Sequence, residues 1–313
     1  MNAPAVERPS TRGMHGMRAW IGAIRPKTLG ASLCPVAMGA ALAQHDGAFA
    51  WTPVLAALAG ACLLQVASNL ANDLFDGVRG TDSGPRIGPA RAVASGTISP
   101  RAMAIALACT LALAAIPAAY LTVHAGVAFA IIGVLGAASA VAYTAGPAPL
   151  AYVGLGDPFV FAFFGPVAVA GTRAACDGTW SAEAAFLGIA PGAIGVCLLA
   201  TNNLRDRVGD AKAGKRTSVV RFGERFGRAL IATCQTAAIA LPLAATAMFG
   251  LPAAPALVTA VLAAAFLPLG VAVVRGRDGA ALNGTLAGFG ALLYAYGLVF
   301  ACALALSRGA AAP

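Results

Sequence analysis

Long apolar runs alternate with short polar segments along almost the whole chain. A helix needs about 20 mostly apolar residues to cross the hydrocarbon core of a bilayer, with a usual range of roughly 17 to 25. The pattern therefore predicts an all-α, polytopic membrane protein with about nine transmembrane helices, near residues 28–44, 52–75, 101–121, 123–142, 157–172, 182–203, 226–248, 252–274 and 281–306.

The composition agrees with a membrane protein. Of the 313 residues, 59% are hydrophobic and only 11% are charged, which is more apolar than a soluble domain needs for its core. Residues 1–17 are polar and have neither an apolar segment nor a small-residue cleavage pattern, so a removable signal peptide is not expected. We expect a disordered cytoplasmic tail over residues 1–17 and a single transmembrane domain over residues 18–313.

The basic residues predict the orientation, because cytoplasmic loops of membrane proteins retain Lys and Arg. If the N-terminus lies inside, all of the 21 Lys and Arg residues except Arg173 and Arg308 fall in inner segments. Residues 69–76 and 202–210, each of which contains two aspartates, then lie at the inner face. We therefore expect a multi-pass protein of the inner (cytoplasmic) membrane, in contact with lipid, whose active site faces the cytoplasm.

Charge and cysteine usage exclude several other classes of protein. The net charge is +9, but the positive residues lie in short loops beside apolar runs, with no soluble domain or aromatic platform to carry nucleic acid. No nucleic-acid partner is therefore expected. The seven cysteines have no CxxC spacing and the three histidines are scattered, so the sequence offers no ligand set for zinc or haem.

Two of the predicted helices end in the same kind of polar pattern, at residues 69–76 and 202–210. Acidic side chains at the end of a transmembrane helix are costly to hold away from water unless a partner neutralises them. On a helix, each pattern places two carboxylates and one amide on a single face: Asn69, Asp73 and Asp76 in the first, and Asn202, Asp206 and Asp210 in the second.

This set of oxygen ligands suits Mg²⁺, which prefers carboxylate and amide oxygens and is usually completed by water and substrate phosphates. We therefore expect the two patterns to face one site that binds a diphosphate through Mg²⁺ ions. The residues predicted to bind metal and support catalysis are Asp73, Asp76, Asp206 and Asp210, and those predicted to contact the substrate include Asn69, Asn72 and Asn202.

Basic residues follow each acidic pattern in segments that are rich in glycine. Arg forks and Lys ammonium groups bind phosphate oxygens, so some of these residues are candidates for diphosphate binding: Arg79, Arg91, Lys215 and Arg216. Others lie further from the acidic residues, and we interpret them as charges that set the topology: Lys212, Arg225 and Arg228.

Taken together, these motifs resemble the UbiA superfamily of intramembrane prenyltransferases. The resemblance rests on NDxxD at residues 72–76, on GPxR…SG at residues 88–96 and on NNLRDxxxDxxAGKRT at residues 202–217. It extends from Arg25-Pro-Lys-Thr28 to the ninth predicted helix. Either acidic motif alone would be a weak signal, but the two together are specific.

Within the superfamily, the sequence is most similar to the branch that prenylates 1,4-dihydroxy-2-naphthoate. The resemblance implies a UbiA-like bundle around a central cavity, Mg²⁺ as cofactor, and a polyprenyl diphosphate and an aromatic acceptor as substrates. It also implies prenylation of the naphthoate ring with loss of its carboxylate, which gives demethylmenaquinone. The third acid of the superfamily motif is displaced here to Asp82, which the resemblance adds to the metal ligands.

An allylic cation formed from such a diphosphate needs a dry cavity with aromatic walls. Tyr143 is predicted to contact the substrate in this way. Other aromatic residues could serve as walls too, although each could instead pack inside the bundle or face lipid: Phe75, Tyr152, Phe159 and Phe163.

Other functions remain compatible with parts of the sequence. A secondary transporter also buries acidic residues, but near the bilayer midplane rather than at helix ends. A structural scaffold gives no reason for Asn and Asp at two similar positions.

Within the enzyme class, the acceptor could instead be 4-hydroxybenzoate or a non-aromatic lipid precursor. The absence of Lys and Arg between Tyr143 and Gly156 favours the naphthoate branch, because relatives that use 4-hydroxybenzoate usually place basic residues there.

Overall fold

The fold is built from helices. The computed structural model describes residues 12–81 and 91–309, and every regular element in these ranges is helical. The α-helices are α1 (Arg12–Ile24), α2 (Gly30–His45), α3 (Trp51–Arg79), α4 (Pro100–Ala125), α5 (Ala128–Ala142), α6 (Gly156–Phe163), α7 (Pro166–Ala175), α8 (Ala182–Leu187), α9 (Ile189–Lys212), α10 (Ser218–Phe222), α11 (Glu224–Phe249), α12 (Ala253–Ala265), α13 (Leu267–Val274) and α14 (Leu282–Gly309). Short 3₁₀ turns precede α2 and α14.

The chain is a multi-pass membrane protein. In the part of the chain that the structure describes, seven helical segments are long and apolar enough to cross a membrane: α3, α4, α6 with α7, α8 with α9, α11, α12 with α13, and α14. The two other predicted spans correspond to α2, with 16 residues, and to α5, with 15. Both are shorter than the roughly 20 residues usual for a span. The all-α membrane fold is confirmed, whereas the count of nine spans is not.

Helix α1 overlaps the predicted disordered tail, which was placed at residues 1–17. The helix begins at Arg12, so the predicted boundary at residue 18 falls inside a regular element. Trp20 and Ala23 of α1 pack against a buried cluster that includes Leu70 and Leu74 of α3. This tertiary packing fixes a helix whose 13 residues are too few to produce the pattern of a membrane span.

Two predicted spans are interrupted where they meet. Phe164 and Gly165 separate α6 from α7, which begins at Pro166, and Gly188 separates α8 from α9. The backbones touch at this point, because a Cβ atom on Gly165 would lie 2.5 Å from the carbonyl oxygen of Gly188. Proline lacks the N–H that would continue the helix, and glycine permits the close approach.

Helix α9 occupies the centre of the bundle. The apolar window of the α8 and α9 segment is 72% buried, compared with 17% for α4 at the periphery. Ile194 and Leu204 of α9 belong to a core that includes Ile231 of α11 and Phe289 of α14. Both acidic motifs lie on helices, since α3 continues to Arg79 and α9 to Lys212. The ends of these helices lie at the same end of the bundle, where their polar residues form the site.

Candidate active site

A cavity of about 830 Å³ opens between α2, α3, α4, α5, α9 and the segment formed by α6 and α7. Its walls are apolar over most of their extent, with side chains such as Leu111, Leu121, Phe129 and Leu198. One end is polar. Seven residues predicted to bind metal or substrate line the cavity: Asn69, Asn72, Asp76, Arg91, Tyr143, Asn202 and Lys215.

Asp76 lies where the two motifs meet. Its side chain is only 1% exposed, and its Oδ2 atom lies 3.6 Å from Nζ of Lys215 and 4.0 Å from Nη2 of Arg91. A buried carboxylate is costly unless charged or hydrogen-bonding partners compensate for the lost water. Because Lys215 follows the second acidic motif, this single carboxylate brings the basic segments of both motifs to the same place.

Tyr152 provides the hydrogen bond that completes the environment of Asp76. Its hydroxyl donates to Oδ1 of Asp76 at 2.8 Å and lies 2.8 Å from Oγ1 of Thr81. The Arg79 guanidinium and the Lys215 ammonium lie 5.1 and 5.6 Å from the centre of its ring. Burial raises the pKa of the Tyr152 phenol, so the group stays protonated at neutral pH and remains a donor. The sequence predicted Tyr152 only as a possible aromatic wall of the cavity, because no sequence pattern links it to Asp76.

Asn72 carries a buried side-chain oxygen at the polar end of the cavity. Its Oδ1 atom is buried and has no hydrogen-bond partner among the residues that the structure describes. Asn72 lies one helical turn before Asp76, and both residues line the cavity with Asn202. A buried polar atom without a partner is costly, and a bound cation would relieve that cost. These three residues supply the amide and carboxylate oxygens that Mg²⁺ prefers, so the site fits this ion.

The acidic residues that the structure describes do not form a protein cage for a metal. Within residues 12–81 and 91–309, no three His, Cys, Asp or Glu side chains gather into a potential metal site. Asp206 instead makes a two-bond contact with Arg205, from Nε to Oδ1 at 2.7 Å and from Nη2 to Oδ2 at 2.6 Å. A cation bound here would therefore depend on oxygens from the substrate, as is usual for Mg²⁺ with phosphates.

Arg205 is a residue of the site that our sequence reasoning did not single out. It is buried and donates to Oδ1 of Asn202 at 2.7 Å and to Oδ1 of Asn283 at 2.9 Å, in addition to its contact with Asp206. Its position in the motif, three residues after Asn202 and directly before Asp206, is the signal that could have identified it. It holds the second motif to α14.

Tyr143 lies within electrostatic reach of both motifs. Burial, followed by the negative charges of Asp157, Asp76 and Asp210, raises the pKa of its phenol. The residue therefore stays neutral while it lines the cavity. Asp210, which is partly buried, is close enough to influence Tyr143 but is not one of the residues that line the described cavity.

The structure places other predicted site residues outside the cavity or ties them to the backbone. Asn69 lines the cavity but uses its Nδ2 atom to bond the Ile24 carbonyl at 2.9 Å and Oγ1 of Thr28 at 3.0 Å. Arg79 donates to the carbonyls of residues 144 and 146, and the side chain of Arg216 is exposed. Asp82 lies outside the described residues. Both Asp73 oxygens accept hydrogen bonds from backbone amides, and Asp73 is not among the residues that line the described cavity.

Comparison with known proteins identifies the family of this chain. Residues 32–293 match the UbiA prenyltransferase family. The chain belongs to this family. It is 39% identical to the 1,4-dihydroxy-2-naphthoate octaprenyltransferase of Mycobacterium tuberculosis, over 69% of this chain and 74% of the relative. It is also 39% identical to the enzyme of the same name from Escherichia coli, over 66% of this chain and 69% of the relative. The predicted UbiA resemblance is confirmed, and the chain is a prenyltransferase.

Solved UbiA structures share the fold. A UbiA homolog from Aeropyrum pernix K1 superposes with a TM-score of 0.70 at 20% identity, covering 91% of this chain and 99% of that protein. A UbiA homolog from Archaeoglobus fulgidus, solved with GPP and Mg²⁺, gives a TM-score of 0.63 at 17% identity, with coverage of 91% and 99%. At these identities the likeness concerns the fold alone, and it confirms the predicted UbiA-like bundle.

Proposed function

We propose that the protein transfers a polyprenyl group from its diphosphate to 1,4-dihydroxy-2-naphthoate, with loss of the carboxylate, and so forms demethylmenaquinone in menaquinone biosynthesis. The observation that carries this proposal is the juxtaposition of Asp76, Arg91 and Lys215 at the polar end of a deep apolar cavity. The two octaprenyltransferases at 39% identity support the choice of acceptor. We place the protein in the inner membrane with this site on the cytoplasmic side, as the distribution of Lys and Arg predicts.

The diphosphate binds at the polar end through Arg91 and Lys215. Both side chains line the cavity, and both lie close to Asp76, whose charge keeps them oriented when no phosphate is present. Charge-assisted bonds from Arg and Lys to phosphate oxygens are stronger than bonds between neutral groups. The prenyl tail extends along the apolar walls because the free energy falls when hydrocarbon is transferred from water to an apolar environment.

Mg²⁺ would be held by Asn72, Asp76 and Asn202. Asp206 and Asp210 of the second motif, which do not line the described cavity, would be further ligands only after moving toward Asn202, and Asp206 would exchange its contact with Arg205 for the ion. The buried Oδ1 atom of Asn72, which lacks a hydrogen-bond partner within residues 12–81 and 91–309, supports this assignment. A homolog with the same fold was solved with GPP and Mg²⁺, which supports the choice of ion. When bound, the ion neutralises negative charge that develops on the leaving diphosphate.

The protein residues favour ionisation of the allylic diphosphate. The bond between the allylic carbon and the bridging oxygen breaks, and its electron pair leaves with the diphosphate, where Arg91 and Lys215 stabilise the charge. The dry walls, with Tyr143, Phe159 and Phe163 among the lining residues, shield the allylic cation from water. The acceptor ring attacks through the carbon that carries its carboxylate, and the ring then releases carbon dioxide to restore its aromaticity.

A competition between acceptors tests this proposal. Purified protein in nanodiscs receives one polyprenyl diphosphate, Mg²⁺ and equal amounts of 1,4-dihydroxy-2-naphthoate and 4-hydroxybenzoate, and products are identified by mass. We expect prenylated naphthoquinol without the carboxylate, little prenylated benzoate, and no product after chelation of Mg²⁺. Preference for 4-hydroxybenzoate, or retention of the naphthoate carboxylate, would refute the choice of acceptor. A complete absence of Mg²⁺-dependent transfer would refute the proposed reaction.

A further inference from the structure

We propose that Asp73, the second residue of the NDxxD motif, is a positioning residue that holds the Arg91 side chain in the cavity and is not a metal ligand. The inference rests on the proposed function, because it assigns Arg91 to the diphosphate. Asp73 and Asp76, which the sequence pattern alone does not distinguish, therefore have two different roles.

The carboxylate of Asp73 is committed to the backbone. Its Oδ2 atom accepts the N–H of Ala92 at 3.1 Å, and its Oδ1 atom accepts the N–H of Val93 at 2.9 Å. The side chain is only 2% exposed and is not part of the described cavity lining. Asp76, by contrast, lines the cavity one turn further along α3. Both Asp73 oxygens therefore point to a different partner from those of Asp76.

The segment that Asp73 binds is a compact turn over residues 91–98. The amide of Ser95 bonds the carbonyl of Arg91 at 3.0 Å, and the amide of Thr97 bonds the carbonyl of Ala92 at 2.9 Å. These bonds leave the N–H groups of residues 92 and 93 at the start of the turn to face Asp73. Charge-assisted bonds from two adjacent amides are among the stronger contacts that a carboxylate makes.

The turn also packs tightly against the same face of α3. Gly77 lies one helical turn after Asp73, and a Cβ atom there would come within 2.7 Å of Cγ1 of Val93. Ala92, Val93 and Ile98 are buried in a cluster with residues of α3. Asp73 and Gly77 thus fix the position of the turn through hydrogen bonds and close packing.

The first residue of this turn is Arg91, which points the other way. Its side chain is 9% exposed, lines the cavity and has its Nη2 atom 4.0 Å from Oδ2 of Asp76. Because Ala92 is bonded to Asp73, the backbone of Arg91 cannot shift along α3 without breaking that bond. The NDxxD motif thus supplies both Asp76, which lines the cavity, and Asp73, which holds the backbone next to Arg91.

Four variants separate the two roles: Asp73→Asn, Asp76→Asn, Arg91→Ala and the double variant Asp73→Asn with Arg91→Ala. Steady-state kinetics with farnesyl diphosphate give KM for the diphosphate and the Mg²⁺ concentration for half-maximal rate. We expect Asp73→Asn to raise that KM roughly tenfold, as loss of a charge-assisted contact does, with the Mg²⁺ midpoint within about twofold of the parent. The double variant should be no worse than Arg91→Ala, because Asp73 acts through Arg91.

Two measurements remain informative even if the acceptor or the reaction has been assigned wrongly. Hydrogen exchange of a peptide covering residues 91–98 should accelerate in Asp73→Asn and stay unchanged in Asp76→Asn. Equilibrium binding of Mn²⁺ with inorganic diphosphate, followed by electron paramagnetic resonance, should weaken in Asp76→Asn but not in Asp73→Asn.

The inference would be overturned if hydrogen exchange stayed unchanged in Asp73→Asn while Mn²⁺ binding weakened. It would also be overturned if exchange stayed unchanged while the effect on KM added to that of Arg91→Ala. Asp73 would then be a metal ligand. If Asp73→Asn does not fold, Asp73→Glu, which keeps the charge, is measured in the same way. The longer side chain should displace the turn, so it should accelerate exchange and leave Mn²⁺ binding intact, whereas a ligand role predicts altered Mn²⁺ binding with normal exchange.

Discussion

The hydroxyl group of Tyr152 donates a 2.8 Å hydrogen bond to Asp76, a residue that precedes it by 76 positions. The contact joins the loop after α5 to the acidic end of α3. It leaves the other oxygen of Asp76 to face Arg91 and Lys215. The carboxylate is therefore held in one orientation before substrate arrives, and preorganised charge is an important source of catalytic stabilisation.

Removal of this hydroxyl tests the orientation of Asp76. We expect Tyr152→Phe to lower kcat by roughly tenfold, because one hydrogen bond to a charged group is lost while the ring beside Arg79 remains. Tyr152→Ala also removes the ring and should be more severe. The measurement is steady-state prenyl transfer at saturating Mg²⁺. A kcat for Tyr152→Phe equal to that of the parent would show that the hydrogen bond does not matter for turnover.

Loss of the Asp76 charge should be the most damaging change in the first motif. Asp76→Asn keeps the size of the side chain but removes the negative charge at the cavity, and we expect turnover to fall by about 10²-fold or more. Asp206→Asn and Asp210→Asn should act in the same direction. Asp177→Asn, in the turn after α7, is the control and should retain activity within about twofold. Near-normal Mg²⁺-dependent rates in any two of the three site variants would contradict a shared metal site.

Lys215 and Lys212 form a matched pair for testing phosphate binding. Lys215 lines the cavity and lies 3.6 Å from Asp76, whereas Lys212 is exposed at the end of α9. Lys215→Ala should raise KM for the prenyl diphosphate roughly tenfold with little change in KM for the acceptor, because the lost contact is to phosphate. Lys212→Ala should change neither value. The exposed Arg216 should show a smaller effect than Lys215. Equal effects of the two lysine changes would argue against a direct contact.

Arg173 should stabilise the end of the bundle opposite to the site. It is buried, and it donates to Asp46 after α2 and to Asp177 at 2.9 Å. Arg173→Met should lower the free energy of unfolding by about 1–3 kcal/mol, because a buried guanidinium loses its charge-assisted contacts with two partly exposed carboxylates. Arg275→Met, at an exposed arginine, is the control. Thermal unfolding in detergent measures both, and equal melting temperatures would contradict a stabilising role for Arg173.

Local sequence pattern predicted the helices and the motifs well, because both depend on short-range regularities. Apolar runs of sufficient length form helices in a membrane, where every backbone polar group needs an internal partner. The pattern could not locate the interruption between α6 and α7, since it depends on close contact with Gly188, which is distant in the sequence. For the same reason it placed residues 12–17, the start of α1, in the predicted tail.

The sequence by itself determined the fold class, the family and the residue types of the site, since each is encoded in composition or in motifs of fixed spacing. Only the tertiary structure decided the direction of each polar side chain. Asp73 and Asp76 lie 60° apart around an ideal helix axis, at 100° per residue, and spacing alone places them on one face. The turn that begins at Arg91 packs beside Asp73, while the cavity lies beside Asp76. Contacts between distant segments therefore set the two roles apart.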